Sequence, residues 1–138
     1  MVTAAKNNIV IVDTNIFSYW FKGDTRGKPY LQYAIGHQLV LSFATKGELY
    51  YWAMNSRWGP LLMRKLKETI AEHPILNSND AICQKFAQVR MQLKDEPISY
   101  DDYWIAACAL KFDCPILTND VKHFFRIKGV KLLGPYSN

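Results

Sequence analysis

The sequence predicts an α/β protein, with a central, mainly parallel sheet flanked by helices on both sides. Three observations carry that expectation. Short apolar, β-branched runs alternate with stretches of helical periodicity. The first run, Ile9-Val10-Ile11-Val12, has no polar position, as a strand buried on both faces requires. No internal repeat or low-complexity linker breaks the alternation, so residues 1–138 are expected to form a single domain.

Asn8 to Val12 reads as the central strand, ended by Asp13. Asn15 to Phe21 follows as a short helix, opened by Asp13 or Thr14 and stopped near Gly23. Lys22 to Lys28 reads as a polar loop, and Tyr30 to Ile35 as a short helical stretch closed by Gly36. Leu39 to Phe43 is the second strand. Thr45 is expected to cap a helix through about Asn55, which places Glu48 at the third helical position as a capping-box partner. Arg57-Trp58-Gly59-Pro60 interrupts, and Leu61 to Ala71 resumes as a helix with a cationic outer face. Pro74 to Leu76 is a short third strand. Asn79 or Asp80 opens a helix carrying Ile82, Phe86, Val89 and Leu93 on one stripe and ending before Pro97. Ser99 caps the most regular helix, Tyr100 to Phe112. Pro115 to Leu117 is the fourth strand, Thr118-Asn119-Asp120 a turn, and Val130 to Leu133 the last strand.

With 138 residues, 49% apolar and only 21% charged, the chain can fill one core, which excludes intrinsic disorder. No apolar run approaches the roughly 20 residues that a membrane span needs. The first eight residues carry one Lys and no apolar stretch, so no secretory leader is expected and the chain is expected in the cytoplasm. Cys83, Cys108 and Cys114 are odd in number and lack CxxC spacing, which suits reduced thiols rather than a disulfide scaffold or zinc finger. His37, His73 and His123 have no ligand spacing, and His123 is expected to be a turn residue or a support for the acids. Ser18 and Ser42 lack a neighbouring base and no Gly-rich phosphate loop exists, so serine hydrolase and nucleotide-binding readings fail.

In open parallel sheets the functional crevice lies beyond the carboxyl ends of the strands, where the strand order reverses. Asp13 follows the first strand, Glu48 the second, Asp101 and Asp102 open the helix leading to the fourth, and Asp120 follows the fourth. Each has an ordinary structural reading as a cap, a capping-box partner, a first-turn charge or a turn former. Four separate segments aiming carboxylates at one edge are more informative, because crowded like charges are tolerable chiefly when divalent cations neutralise them. Hard oxygen ligands point to Mg²⁺ or Mn²⁺.

The segments Ile9 to Asn15 (IVIVDTN), Ala44 to Leu49 (ATKGEL), Asp102 to Leu110 (DYWIAACAL), Pro115 to Asp120 (PILTND) and the pair His123-Phe124, in this order, resemble a PIN domain of the VapC toxin type over nearly the whole chain. The resemblance implies a metal-dependent ribonuclease, commonly the toxin of a toxin–antitoxin pair. Residue by residue it implies Asp13, Glu48, Asp102 and Asp120 as the catalytic, metal-holding quartet. It also implies Thr118 as a hydroxyl beside the last acid, and Asn15 as an amide orienting the carboxylates. Asp101 lies outside the usual pattern and reads as a spare ligand, a supporting acid or a first-turn charge.

Metal ions in such a site can acidify an attacking water, polarise the phosphoryl oxygen and stabilise the leaving 3′-oxygen. The helix start at Tyr100 is expected to keep Asp102 ionised. No 2′-hydroxyl nucleophile is needed, so the products are expected to carry a 5′-phosphate and a 3′-hydroxyl, with RNA preference set by the groove.

The net charge is +5, from 17 Lys and Arg against 12 Asp and Glu. Setting aside the five acids of the candidate cleft leaves seven acids against 17 bases, a surplus that suits a polyanion. Lys22, Arg26, Lys28, Arg57 and Lys122 are the candidate RNA contacts, with Arg64, Lys65, Lys67 and Arg126 nearby; an ordinary solvated face is the alternative for each. Tyr19, Trp20, Tyr50, Tyr51 and Trp52 fall near Asp13 and Glu48, where they suit stacking on unpaired bases or packing. The apolar content of Tyr50 to Leu66 predicts a homodimer through this region. An acidic cleft ringed by bases also suits an antitoxin tail that inserts an Arg or Lys between the carboxylates. The competing function is a catalytically idle PIN-like scaffold that binds RNA or protein. A structure-specific DNA nuclease is a third, disfavoured because the short chain leaves no room for a helical arch.

Overall fold

The computed structural model describes residues 8–94 and 96–136. Residues 1–7, read above for a leader, lie outside that set. Five strands pair entirely in parallel, in the order β3-β2-β1-β4-β5. They are β1 (Ile9–Val12), β2 (Gln38–Ser42), β3 (Ile75–Leu76), β4 (Ile116–Leu117) and β5 (Leu132–Leu133). The helices are α1 (Thr14–Lys22), α2 (Leu31–Ala34), α3 (Phe43–Asn55), α4 (Pro60–Ala71), α5 (Asp80–Gln92), α6 (Tyr100–Phe112) and α7 (Val121–Phe124).

The apolar run of β1 explains its central place. Val10 and Val12 face one core with Ile16 and Phe17 of α1, Leu49 and Ala53 of α3, and Leu66 and Ile70 of α4. Ile11 faces the other, with Ile82 and Val89 of α5, Tyr103 to Ala109 of α6, and Phe124 of α7. The chain steps outward from β1 to β2 and β3, then returns to the opposite side of β1 for β4 and β5. Parallel crossovers are almost always right-handed, so the two directions of travel place their helices on opposite faces of the sheet. The reversal falls between β1 and β4 and leaves a crevice beyond their carboxyl ends.

Three local expectations are corrected. The polar stretch Lys22 to Lys28 is not an open loop, because Thr25–Tyr30 forms a 3-10 turn capped by the Asp24 carboxylate, which accepts the Arg26 N–H at 2.9 Å. Gly27 anchors it: a Cβ there would meet Trp20 Cδ1 at 2.6 Å, and the Trp20 indole donates to the Gly27 carbonyl at 2.8 Å. Second, α3 starts at Phe43, capped by the Ser42 hydroxyl, which accepts the Thr45 N–H at 3.1 Å. Thr45 is therefore inside the helix, and Glu48 sits in the second turn rather than in a capping box. Finally, β5 is confined to Leu132–Leu133, without Val130. All three cysteines are free thiols, with Cys108 and Cys114 buried. Among the described residues no helix is long and apolar enough to cross a membrane.

Candidate active site

Where the strand order reverses, two neighbouring strands deliver their next residues to one place. Asp13 follows β1 and caps α1, its Oδ1 accepting the Thr14 N–H at 2.7 Å. Thr118 follows β4; its hydroxyl donates to Asp13 Oδ2 at 2.5 Å and accepts the Asp120 N–H at 2.8 Å. The end of β4 is held in turn by the Tyr136 hydroxyl, which lies against the Thr118 and Leu133 carbonyls. Glu48 reaches in from α3. Asp101 and Asp102 come from the first turn of α6, where the Ser99 hydroxyl accepts the Asp102 N–H at 3.3 Å. The five acids line one cleft of about 340 Å³, together with Thr14, Asn15, Ser99 and His123.

Burial and crowding govern the charges in this cleft. Asp13 is only 4% exposed, and burial pushes its carboxyl up to about 6, against the pull of the Thr118 hydroxyl and with the help of the Asp102 charge. Glu48 is pushed up to about 7, first by its hydrogen bond with the Asp101 carboxyl and then by burial. The Asp101 carboxyl beside it therefore favours the protonated form of Glu48 in the metal-free protein. Asp102 is also raised, chiefly by burial, with the His123 hydrogen bond opposing. Burial thus acts against the pull that the start of α6 is expected to exert on the Asp102 charge.

His123 is the residue whose part sequence spacing understated. Its Nδ1 lies 2.8 Å from Asp120 Oδ2 and 3.1 Å from Asp102 Oδ2, bridging acids from two elements. These three side chains offer ligand atoms within 4.8 Å of one another. The signal was the i, i+3 spacing from Asp120, which matters only once the one-turn helix α7 forms. Asn15 departs from expectation in the other direction. It lines the cleft but is exposed, and its amide makes no hydrogen bond to a carboxylate among the described residues.

None of the candidate RNA-contacting cations lines the cleft. Lys22, Lys28, Arg57 and Lys122 are exposed. Arg26 is tied to Asp24 at 2.7 Å and lies over the Tyr19 ring, so it presents an ion pair rather than a free cation. Arg126 is likewise paired with Glu96.

Thr118→Val tests how far the site depends on its hydroxyl. Thr118 is fully buried, and the substitution strips partners from Asp13 Oδ2 and the Asp120 N–H. A loss of about 1–3 kcal/mol is expected in thermal melts. Because that hydroxyl holds the Asp13 carboxyl down, the carboxyl is expected to rise further, as NMR titration would read.

A five-stranded parallel sheet that gathers carboxylates at its switch point defines the class, and the chain belongs to the PIN domain family, which matches residues 10–130. Within that family it is of the VapC type. It is 31% identical over 123 residues to Ribonuclease VapC1 of Haemophilus influenzae strain R2866, covering 86% of this chain and 92% of that protein. The solved structure of VapBC-1 from nontypeable Haemophilus influenzae superposes with a TM-score of 0.78 at 30% identity, covering 91% of this chain and 97% of the other. VapBC2 from Rickettsia felis, bound to a DNA fragment from its promoter, shares the fold with a TM-score of 0.79 at 23% identity, over 93% and 99% of the two chains.

Proposed function

We propose that this protein is a divalent-cation-dependent endoribonuclease, the VapC-like toxin of a toxin–antitoxin pair, acting as one domain in the cytoplasm. The observation that carries the reading is the cleft itself. Asp13, Glu48, Asp101, Asp102 and Asp120 crowd into about 340 Å³, and two of their carboxyls are forced up to about 6 and about 7. Such crowding costs stability unless a cation neutralises it. The ribonuclease name of the Haemophilus relatives supports the same reading.

An oxygen-rich donor set with a single imidazole fits Mg²⁺ or Mn²⁺. Asp13, Glu48, Asp102 and Asp120 would hold the cation, which when bound supplies Lewis acidity toward the phosphodiester and lowers the pKa of a bound water. Thr118 fixes the angle of Asp13, while His123 sets Asp102 and Asp120 relative to each other. Asp101 lies against Glu48 and positions it. An idle binding scaffold has no use for this arrangement.

Unstructured RNA is expected to be cut in Mg²⁺ or Mn²⁺, leaving 5′-phosphate ends, and to remain intact in chelator. Cleavage unaffected by chelator would overturn the metal-dependent reading. A toxin–antitoxin complex from Klebsiella pneumoniae is among the solved structures of this fold, which supports a cognate antitoxin; the acidity of the cleft suits an Arg or Lys of that partner. Co-expression with the product of the neighbouring gene is expected to restore growth and yield a complex. Met54, Leu61 and Leu62, exposed on α3 and α4, support a homodimer through the Tyr50 to Leu66 region. Light scattering at micromolar concentration would expose a monomer.

A further inference from the structure

A second groove of about 310 Å³ runs from the acid cleft between α1 and α3, and the two cavities share Thr14, Asn15 and Glu48 as wall residues. Its walls follow from helical spacing. Asn15 and Ser18 lie at i and i+3 on α1, while Glu48, Tyr51 or Trp52, and Asn55 lie at i, i+3 or i+4, and i+7 on α3. From the ribonuclease reading above, we propose that this groove is a subsite for one unpaired nucleobase next to the scissile phosphate, stacked on Tyr51 and read by Asn55.

The side chains divide into those already engaged and those left unpartnered. The Ser18 hydroxyl is satisfied by the Thr14 and Asn15 carbonyls, at 2.9 and 3.0 Å, and reads nothing. Trp52 packs against Trp58, with ring centroids 4.6 Å apart, and forms the floor. Tyr51 is 66% exposed, with no stacking partner and no hydrogen bond among the described residues. The amides of Asn15 and Asn55 are exposed and likewise without a partner among the described residues. A bare aromatic face beside amides that offer both donor and acceptor is the surface that an unstacked base recognises. Lys22 stands over the wall residue Trp52, its ammonium 5.5 Å from that ring centroid, and lies two helical turns from Asn15, about 10 Å along the axis. There it meets the next phosphate. The order of the features, acids then stacking face then cation, matches a strand that enters the cleft at a phosphate, turns a base aside and continues along its backbone.

The experiment compares Tyr51→Ala, Tyr51→Phe and Asn55→Ala with the wild-type side chains. Binding of short, unstructured fluorescent RNA is read by anisotropy in an Asp102→Asn background, and cut-site distribution is read with Asp102 intact. Tyr51→Ala is expected to weaken binding roughly 5- to 100-fold, the range for loss of one base stack, with Tyr51→Phe restoring it. Asn55→Ala is expected to broaden the cut-site distribution while turnover at saturating RNA stays within about threefold, because uniform binding is lost rather than transition-state contacts. Both side chains replaced, Tyr51 and Asn55, are exposed, so melting temperatures should not move. RNA bound and cut normally by Tyr51→Ala and Asn55→Ala would overturn the subsite and leave the ribonuclease reading standing. A wild-type protein that neither binds nor cuts RNA would remove both. Loss of antitoxin binding or of dimerisation in these variants, with RNA binding intact, would make the groove a protein-docking surface and overturn the proposal.

Discussion

Asp102→Asn is expected to reduce RNA cleavage by at least about 10³-fold while leaving the metal-free protein as stable as the wild type or more so. The two effects have one origin. Asp102 is packed beside Asp120 and within electrostatic reach of Asp13, and burial already pushes its carboxyl up. Neutralising it relieves repulsion, and the amide oxygen can still accept from His123, now 3.1 Å away. The same change removes a charge proposed to hold the cation, so affinity for Mn²⁺, measured by calorimetry, should fall together with cleavage. Were Asp102 merely a first-turn charge on α6, activity would survive and stability would drop by about 0.3–1 kcal/mol. Asp101→Asn belongs in the same set. It leaves Glu48 without the carboxyl that raises it, so the Glu48 carboxyl should titrate lower.

The second large effect is an inverted pH dependence of stability. Asp13 and Glu48 are raised in the folded protein, to about 6 and about 7, so folding favours their protonated forms. Their stabilising contribution is therefore complete below the unfolded value near 4 and is lost as pH climbs through 6 and 7. For Asp13, moving from 3.8 to about 6 corresponds to at most about 3 kcal/mol. In chelator the melting temperature should thus fall by roughly 10 °C between pH 5 and pH 8. With Mg²⁺ or Mn²⁺ the fall should shrink or vanish, because cation binding requires the ionised carboxylates and stabilises the folded state at high pH. Asp24 works the other way. Its contact with Arg26 holds its carboxyl down to about 2, so that contribution disappears only as pH drops below 4. A melting temperature in chelator that is flat or rising from pH 5 to pH 8 would contradict the crowded-carboxylate account.

Much of this architecture was legible in the residues. The all-apolar run of β1 signalled burial on both faces, and the Ser99 cap with its thirteen-residue helix was readable to the residue. The alternation of strands and helices implies a switch point, and the rule for such sheets points to Asp13 and Asp120 from the strand ends alone. Where reading failed, the cause was a contact between residues distant in sequence or a single local anchor. The turn at Thr25–Tyr30 depends on Gly27 lying against one indole ring, which composition presents only as a polar stretch. The start of α3 was misplaced because Ser42 and Thr45 are both acceptable caps, and only the packing of Thr45 inside the core selects the first.

The sequence by itself determined the fold class, the order of the elements and the acids that their strand ends would bring to one edge, because periodicity, caps and strand endings are local properties. Tertiary structure decided which of those groups touch. It set Asp101 against Glu48 and His123 between Asp102 and Asp120, and it left the Asn15 amide unbonded among the described residues. It also set the protonation of the cleft, since desolvation and the approach of like charges depend on distances across the sheet that no local pattern encodes.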